Sequence, residues 1–197
     1  MEDTVSFPRS NHPLLNWSIR SKSFWARHPQ MGKVAQSWEA FWQRGHQQAA
    51  FALIWYQDVT TLHYLLRWNE KWQMFNLVGG KVEAEDGGNI RQTMRRELIE
   101  ELGVLGISLC DVLRKKTAVS LQQYSPRRGH MQGYTFHLFE RELAPTSHFI
   151  SAVDQALNTG HEINIWVRAD EIRQLKTDDG RRISPTTHKI LRRLDHL

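Results

Sequence analysis

The chain has 197 residues, 40% of them hydrophobic and 24% charged, with a formal net charge of +5 and a pI near 9.6. This is long enough for one domain with a substantial core and one extra element, and the balance is ordinary for a soluble globular protein. A lone Cys110 excludes an internal disulfide; no secretory signal follows Met1 and no run approaches the ~20 apolar residues of a membrane span, so the cytoplasm is the expected location and no membrane is a partner.

Residues 1–47 differ in character from the rest of the chain. Pro8, Pro13 and Pro29 among Ser and Asn predict irregular chain, and then Val34, Trp38, Phe41 and Trp42 fall at i, i+4, i+7 and i+8. That spacing predicts an amphipathic helix ending near Gly45, its stripe docked on a main domain over 48–197. Phe51–Tyr56 reads as a continuous apolar strand buried on both faces, and Leu62–Trp68 pairs with it as a hairpin. Trp72–Val78 leads into the Gly79-Gly80 turn. Asn89 is a good N-cap for a helix from Ile90 to Leu102, with Gln92 completing a capping box. Ile90, Met94, Leu98 and Leu102 form its apolar stripe, and Gly103 supplies the left-handed residue at its end. Val112–Gln123 and Gly133–Glu140 read as strands around the loop Ser125–Gln132, and Glu162–Val167 as another. Two C-terminal helices, Ala169–Leu175 and Pro185–Leu194, complete the chain, the second with Ile190, Leu191 and Leu194 inward. Strands outnumber helices, so the expected class is α/β: a mixed sheet with helices on both sides.

The chemistry concentrates on the Ile90–Leu102 helix. Glu97, Glu100 and Glu101 stand at i, i+3 and i+4, which places them on one side, about 5–6 Å apart at Cβ. Like charges at that spacing weaken a helix, and near its C-terminus they also oppose the macrodipole. A hard divalent cation with oxygen ligands is the simplest compensation; the bland alternative is a solvated acidic face. The basic clusters Arg114-Lys115-Lys116, Arg127-Arg128, Arg181-Arg182 and Arg192-Arg193 are scattered and attract phosphates of any kind.

At Gly79-Gly80-Lys81-Val82-Glu83 and Arg96-Glu97-Leu98-Ile99-Glu100-Glu101-Leu102-Gly103-Val104 the chain resembles the Nudix hydrolase family. Its signature reads G-x5-E-x7-R-E-U-x-E-E-x-G-U, U being a bulky aliphatic. The second half matches at every specified position. Counting from Gly80, the position expected to be Glu is Asp86, with Glu85 beside it, and two extra residues precede Arg96. They fall in the turn-rich stretch Asp86-Gly87-Gly88-Asn89.

The resemblance implies an α/β/α sandwich and hydrolysis of a pyrophosphate bond in a nucleoside diphosphate linked to another moiety. It implies magnesium, or manganese in its place, held by Glu97, Glu100, Glu101 and the carbonyl of Gly80. Glu97 or Glu100 would position or deprotonate the attacking water, and Arg96 would orient a carboxylate of the box. The two-residue insertion leaves two outcomes: the loop still folds back to Arg96, or catalysis is weakened. Arg67, Gly79, Lys81 and Glu162 are the expected substrate contacts, and Trp55, Trp68, Trp72 and Phe75 are expected around the entrance. A different reading makes the chain a Nudix-like domain that binds a nucleotide or RNA and regulates a partner. RNA has no recognisable binding motif behind it here, and a homodimer is compatible with the sequence.

Overall fold

The computed structural model describes residues 46–125, 129–158 and 163–197. The helix expected over 34–45 and Glu162 lie outside the described residues. Strand β1 (Gln47–Asp58) enters first, and a two-residue turn at Val59-Thr60 returns the chain into β2 (Thr61–Asn69). Strand β3 (Met74–Lys81) pairs antiparallel with both. After a single 3-10 turn, Ala84–Asp86, come α1 (Ile90–Leu102) and α2 (Val104–Leu109). A long hairpin is next, β4 (Arg114–Ser125) and β5 (His130–Leu143), then α3 (His148–Asn158). Strand β6 (Asn164–Arg168), α4 (Ala169–Gln174) and α5 (Pro185–Arg193) close the chain.

The six strands run in the order β4-β5-β1-β3-β2-β6, and β5 lies parallel to β1 while the other pairs are antiparallel. The central β1 is the apolar run expected from the sequence: Ala50, Ala52, Leu53 and Ile54 are all fully buried. Alternation divides its residues between two cores. Ala50, Ala52 and Ile54 meet Met94, Leu98 and Leu102 of α1, Leu109 of α2, and Ile150 and Val153 of α3. Leu53 packs on the other side with Tyr64, Phe75 and Leu138 beneath Ile172 of α4 and Ile190 and Leu191 of α5. The mixed sheet with helices on both faces is therefore the observed architecture.

Two helices, α2 and α3, are not anticipated by the sequence patterns, for separate reasons. Helix α2 is six residues long and contains Gly106, whose missing side chain lets it sit against the carbonyl of Leu98, where a Cβ would collide. Packing on α1, not local preference, makes it helical. Helix α3 has a legible start, with Ser147 Oγ accepting from Phe149 N–H at 3.3 Å and Ile150 and Val153 buried three apart. Strand β4 begins two residues later and β5 three residues earlier than expected, and both run further, because the β4–β5 ladder continues out to Ser125 and His130.

Candidate active site

Strand β3 delivers two glycines to α1. Gly79 has φ 133°, and a Cβ there would strike the Ala50 carbonyl and the Phe51 ring. A Cβ on Gly80 would collide with the Glu97 carboxylate, so backbone and carboxylate meet only because residue 80 has no side chain. The chain then makes its 3-10 turn, in which Asp86 Oδ2 accepts the Glu83 N–H at 2.9 Å. Gly87 and Gly88, at φ 56° and 75°, bring it to Asn89. Asn89 caps α1 through its own side chain, which accepts from Arg91 N–H at 3.0 Å and Gln92 N–H at 3.4 Å. The reciprocal box expected with Gln92 forms instead around the 3-10 turn, between Glu83 and Asp86. Gly103 ends the helix at φ 57°, ψ −129°, a positive-φ conformation open to glycine but outside the left-handed helical region expected.

Arg96 is the hub. Its Nε and one Nη grip Asp86 in a fork, at 3.1 Å to Oδ1 and 3.0 Å to Oδ2. That same Nη also donates to the carbonyl of Lys81 at 3.0 Å. The other Nη donates to Glu97 Oε1 at 2.9 Å and Glu100 Oε2 at 3.2 Å. All five N–H groups of the guanidinium are thus used, and Glu85 adds a longer ion pair at 3.6 Å. The lengthened loop does fold back, with Asp86 taking the contact that its family position implies. Asp86 is 2% exposed, and Arg96 together with the Glu83 N–H and the Thr93 hydroxyl holds its carboxyl far below the usual range.

Thr93 belongs to no motif that the sequence displays. It is fully buried and donates to Asp86 Oδ2 at 2.9 Å. Its position one turn before Glu97, on the same side of the helix, is the available signal. Thr93→Val keeps the shape and removes that donor, so the protein is expected to lose about 1 kcal/mol of stability in denaturant melts.

The other carboxylates are less well compensated. Glu97 is 8% exposed; burial pushes its pKa up against the pull of Arg96, with Glu100 and Glu83 adding to the rise. Glu101 accepts the Gly79 N–H at 2.7 Å and lies 3.3 Å from Nε of Arg67, which also donates to the Glu101 carbonyl. Burial nevertheless pushes Glu101 up to about 7, with Glu97 and Glu100 acting in the same sense. Arg67 is therefore placed as the counter-ion of Glu101 and partner of an end carbonyl of α1. Glu100 is the most exposed of the three and is turned to Arg96. As the side chains stand, no three acidic, imidazole or thiol groups among the described residues form an ion-holding group.

This burial makes stability depend on pH. Folding raises the Glu101 pKa above its unfolded value, so the folded state binds the extra proton. In metal-free protein this stability is fully present below about pH 4.5 and is lost as pH rises through about 7, with Glu97 in the same direction. His137 and His196, both held below the usual imidazole value by burial, act the opposite way. Urea melts with chelator across pH 5–8 should therefore show this decline in the difference between wild type and Glu101→Gln, and a difference that grows with pH would contradict it.

The expected aromatic entrance is not realised. Trp55, Trp68 and Phe75 lie on the opposite face of the sheet; Trp55 Nε1 donates to Glu140 at 3.1 Å, Trp68 packs 5.0 Å from Phe75, and Phe75 is fully buried. Trp72 is half exposed in the β2–β3 turn. On that same far face, at the glycine end, Phe51, Phe136 and Tyr134 stack in sequence, with centroids 5.4 and 5.7 Å apart, and Lys81 Nζ lies 6.0 Å from the Tyr134 ring.

Known proteins share this frame. The fold is similar to the NUDIX domain of Shewanella oneidensis NrtR complexed with ADP ribose: TM-score 0.50, 12% identity, covering 89% of this chain and 97% of that one. C. elegans Ap4A hydrolase is similar at TM-score 0.47 and 15% identity, over 76% of this chain and 96% of the other. Shewanella oneidensis NrtR complexed with a 27mer DNA is similar at TM-score 0.49 and 13% identity, over 74% of this chain, which spans 58% of that longer protein. No curated protein matches the sequence. The pattern of the NUDIX domain matches residues 45–188, most of the chain, and the protein belongs to the Nudix family.

Proposed function

We propose that this protein hydrolyses a pyrophosphate bond in a nucleoside diphosphate linked to another group, with a divalent cation, magnesium or manganese, as cofactor. The observation that carries the reading is the Arg96 hub: despite the lengthened loop, its guanidinium ties Asp86, Glu97, Glu100 and the Lys81 carbonyl into one unit. A chain freed from catalysis has no need for that construction. The donor set also fits a hard cation, since it is all oxygen and includes two carboxylates whose burial outweighs their arginine partners. Glu97, Glu101 and the Gly80 carbonyl would hold the ion, with Glu100 joining from the exposed side. When bound, such an ion neutralises phosphate oxygens and acidifies water.

The chain's own residues supply the rest. Arg96 fixes the orientation of Glu97 and keeps Glu100 within one turn of it, so that either carboxylate can take the proton of an attacking water. Gly79 and Gly80 let the backbone approach a phosphate without a Cβ in the way. Arg67, Lys81 and Gly79 border the same turn. We place the start of this hydrolase domain at residue 46, two residues before the expected 48, since Gln47 already belongs to β1.

The test is a substrate panel of nucleoside triphosphates, dinucleotides including Ap4A, nucleotide sugars, ADP-ribose and capped RNA, each with magnesium and with chelator. Chelator-sensitive release of a nucleoside monophosphate is the expected result. The second reading, a nucleotide-binding regulatory domain, draws on the exposure of Glu100, which is tied to Arg96 at the rim of the site. Tight binding of one panel member without turnover of any would establish it instead.

A further inference from the structure

A second cluster of titratable groups sits on the sheet face that carries α4 and α5. Trp55, at its centre, lies five residues along β1 from Ala50, the strand partner of Gly80, or roughly 17 Å from the glycine turn. Tyr64 of β2 is fully buried there and donates its hydroxyl proton to the carbonyl of His196 at 3.0 Å. The same phenol oxygen lies 3.2 Å from His196 Nδ1, and His196 Nε2 lies 3.0 Å from Nζ of Lys116 in β4.

These contacts fix every proton. An ammonium only donates, so Nε2 must accept and is unprotonated. The tyrosine proton is spent on the carbonyl, so its oxygen accepts from Nδ1–H. Burial pushes the Tyr64 pKa to about 12, so that proton stays in place at any working pH. His196 is therefore held as the neutral Nδ1–H tautomer. Glu140 of β5 favours a charged ring through space, its Oε1 lying 3.6 Å from Nε2, but gives it no hydrogen bond. The oxygen concerned, Oε1, already receives Lys116 Nζ and Trp55 Nε1 and has no lone pair left. The remaining charges nearby are Asp195, beside the ring in sequence, and Arg173 of α4, which acts on Tyr64.

We propose that Leu194–Leu197 form a latch opened by one proton: protonating His196 Nε2 removes the acceptor that holds Lys116 and sets an imidazolium against its ammonium. Closed, the latch seats Leu194 and Leu197 on the core and bonds the His196 N–H to the Leu191 carbonyl at 3.1 Å. It also covers the edge of Trp55, whose ring centroid is 5.6 Å from that of His196. Burial first, and then Lys116, keep the imidazole below its ordinary pKa, while Glu140 and Asp195 act the other way. The latch is closed at neutral pH and opens in mild acid. Opening bares the apolar floor under the end of α5, whose first turn accepts the Leu77 N–H through Thr187 at 3.3 Å, two residues before Gly79.

Nitrogen NMR of the full chain tests it. At pH 7.5 the His196 ring should show a protonated Nδ1 and a bare Nε2. Between pH 7.5 and 5.5 the exchange of the Asp195 and His196 amides, which donate to the Arg192 and Leu191 carbonyls, corrected for intrinsic rates, should rise by at least ~10-fold, while that of Ile190 stays put. In His196→Gln the rise should vanish, and in Lys116→Met it should shrink because the repelling charge is gone. A ring protonated on Nε2 at pH 7.5 would overturn the proposal, as would wild-type tail amides that exchange alike at both pH values.

Discussion

Glu101→Gln is expected to reduce turnover by at least ~100-fold while making the metal-free protein no less stable at pH 8, and more stable if Arg67 finds solvent. The two halves of that result come from one cause. Glu101 is buried against the Gly79 N–H with Arg67 beside it, and its pKa is pushed up to about 7. Raised from 4.5 to about 7, its ionisation at pH 8 costs the fold at most roughly 3 kcal/mol, discounted by the solvent that reaches a fifth of the side chain. A neutral isostere removes that cost and keeps an oxygen for the Gly79 N–H. A residue that weakens the fold when charged is kept charged for a ligand; a cation near Glu101 and Glu97 meets that need. Thermal melts with chelator and steady-state kinetics with magnesium read the two halves separately. Equal kcat in mutant and parent would refute the assignment, and a collapsed apo melting temperature would mark Glu101 as structural.

Arg96→Met carries the other large effect, through both stability and catalysis. The substitution removes the only cation against Asp86 among the described residues, a carboxylate 2% exposed, and frees Glu97 and Glu100 from their common donor. Leaving one partner of a buried ion pair uncompensated is among the most destabilising changes a core can suffer. A fall in Tm on the order of 10 °C is expected, together with a loss of activity of ~100-fold or more at temperatures where the variant is still folded. The double variant Arg96→Met with Asp86→Asn should recover part of the Tm and none of the activity. Recovery of both would mean that Arg96 serves only to neutralise Asp86. Additive losses in the double variant would mean the pair is not coupled.

How far the sequence discloses this site depends on which residues are tied together by spacing. Along α1 everything is local: the Asn89 cap, the Met94–Leu98–Leu102 stripe and the three carboxylates come from a 3.6-residue period, and the structure has each where the period puts it. The bond from Arg96 to Asp86 is not legible, because two extra residues remove the fixed spacing and only the course of Gly87 and Gly88 restores the contact. Helix α2 depends on Gly106 lying against Leu98, a contact that no window of six residues reveals. The misplaced aromatic entrance is an error of parity. Ala50 pairs with Gly80 and faces α1, so residue 55, five along the strand, must face the other way.

Manganese binding, followed by its EPR signal in wild type, Glu97→Gln and Glu101→Gln, tests the central claim most directly. Wild-type protein should take up the ion with release of about one proton per site near pH 6, since Glu101 gives up its proton to receive the metal. Each variant should bind at least ~10-fold more weakly, and Glu101→Gln should bind without the proton release. Identical affinity in all three proteins, with no proton released, would show that the buried carboxylates of α1 do not hold the metal.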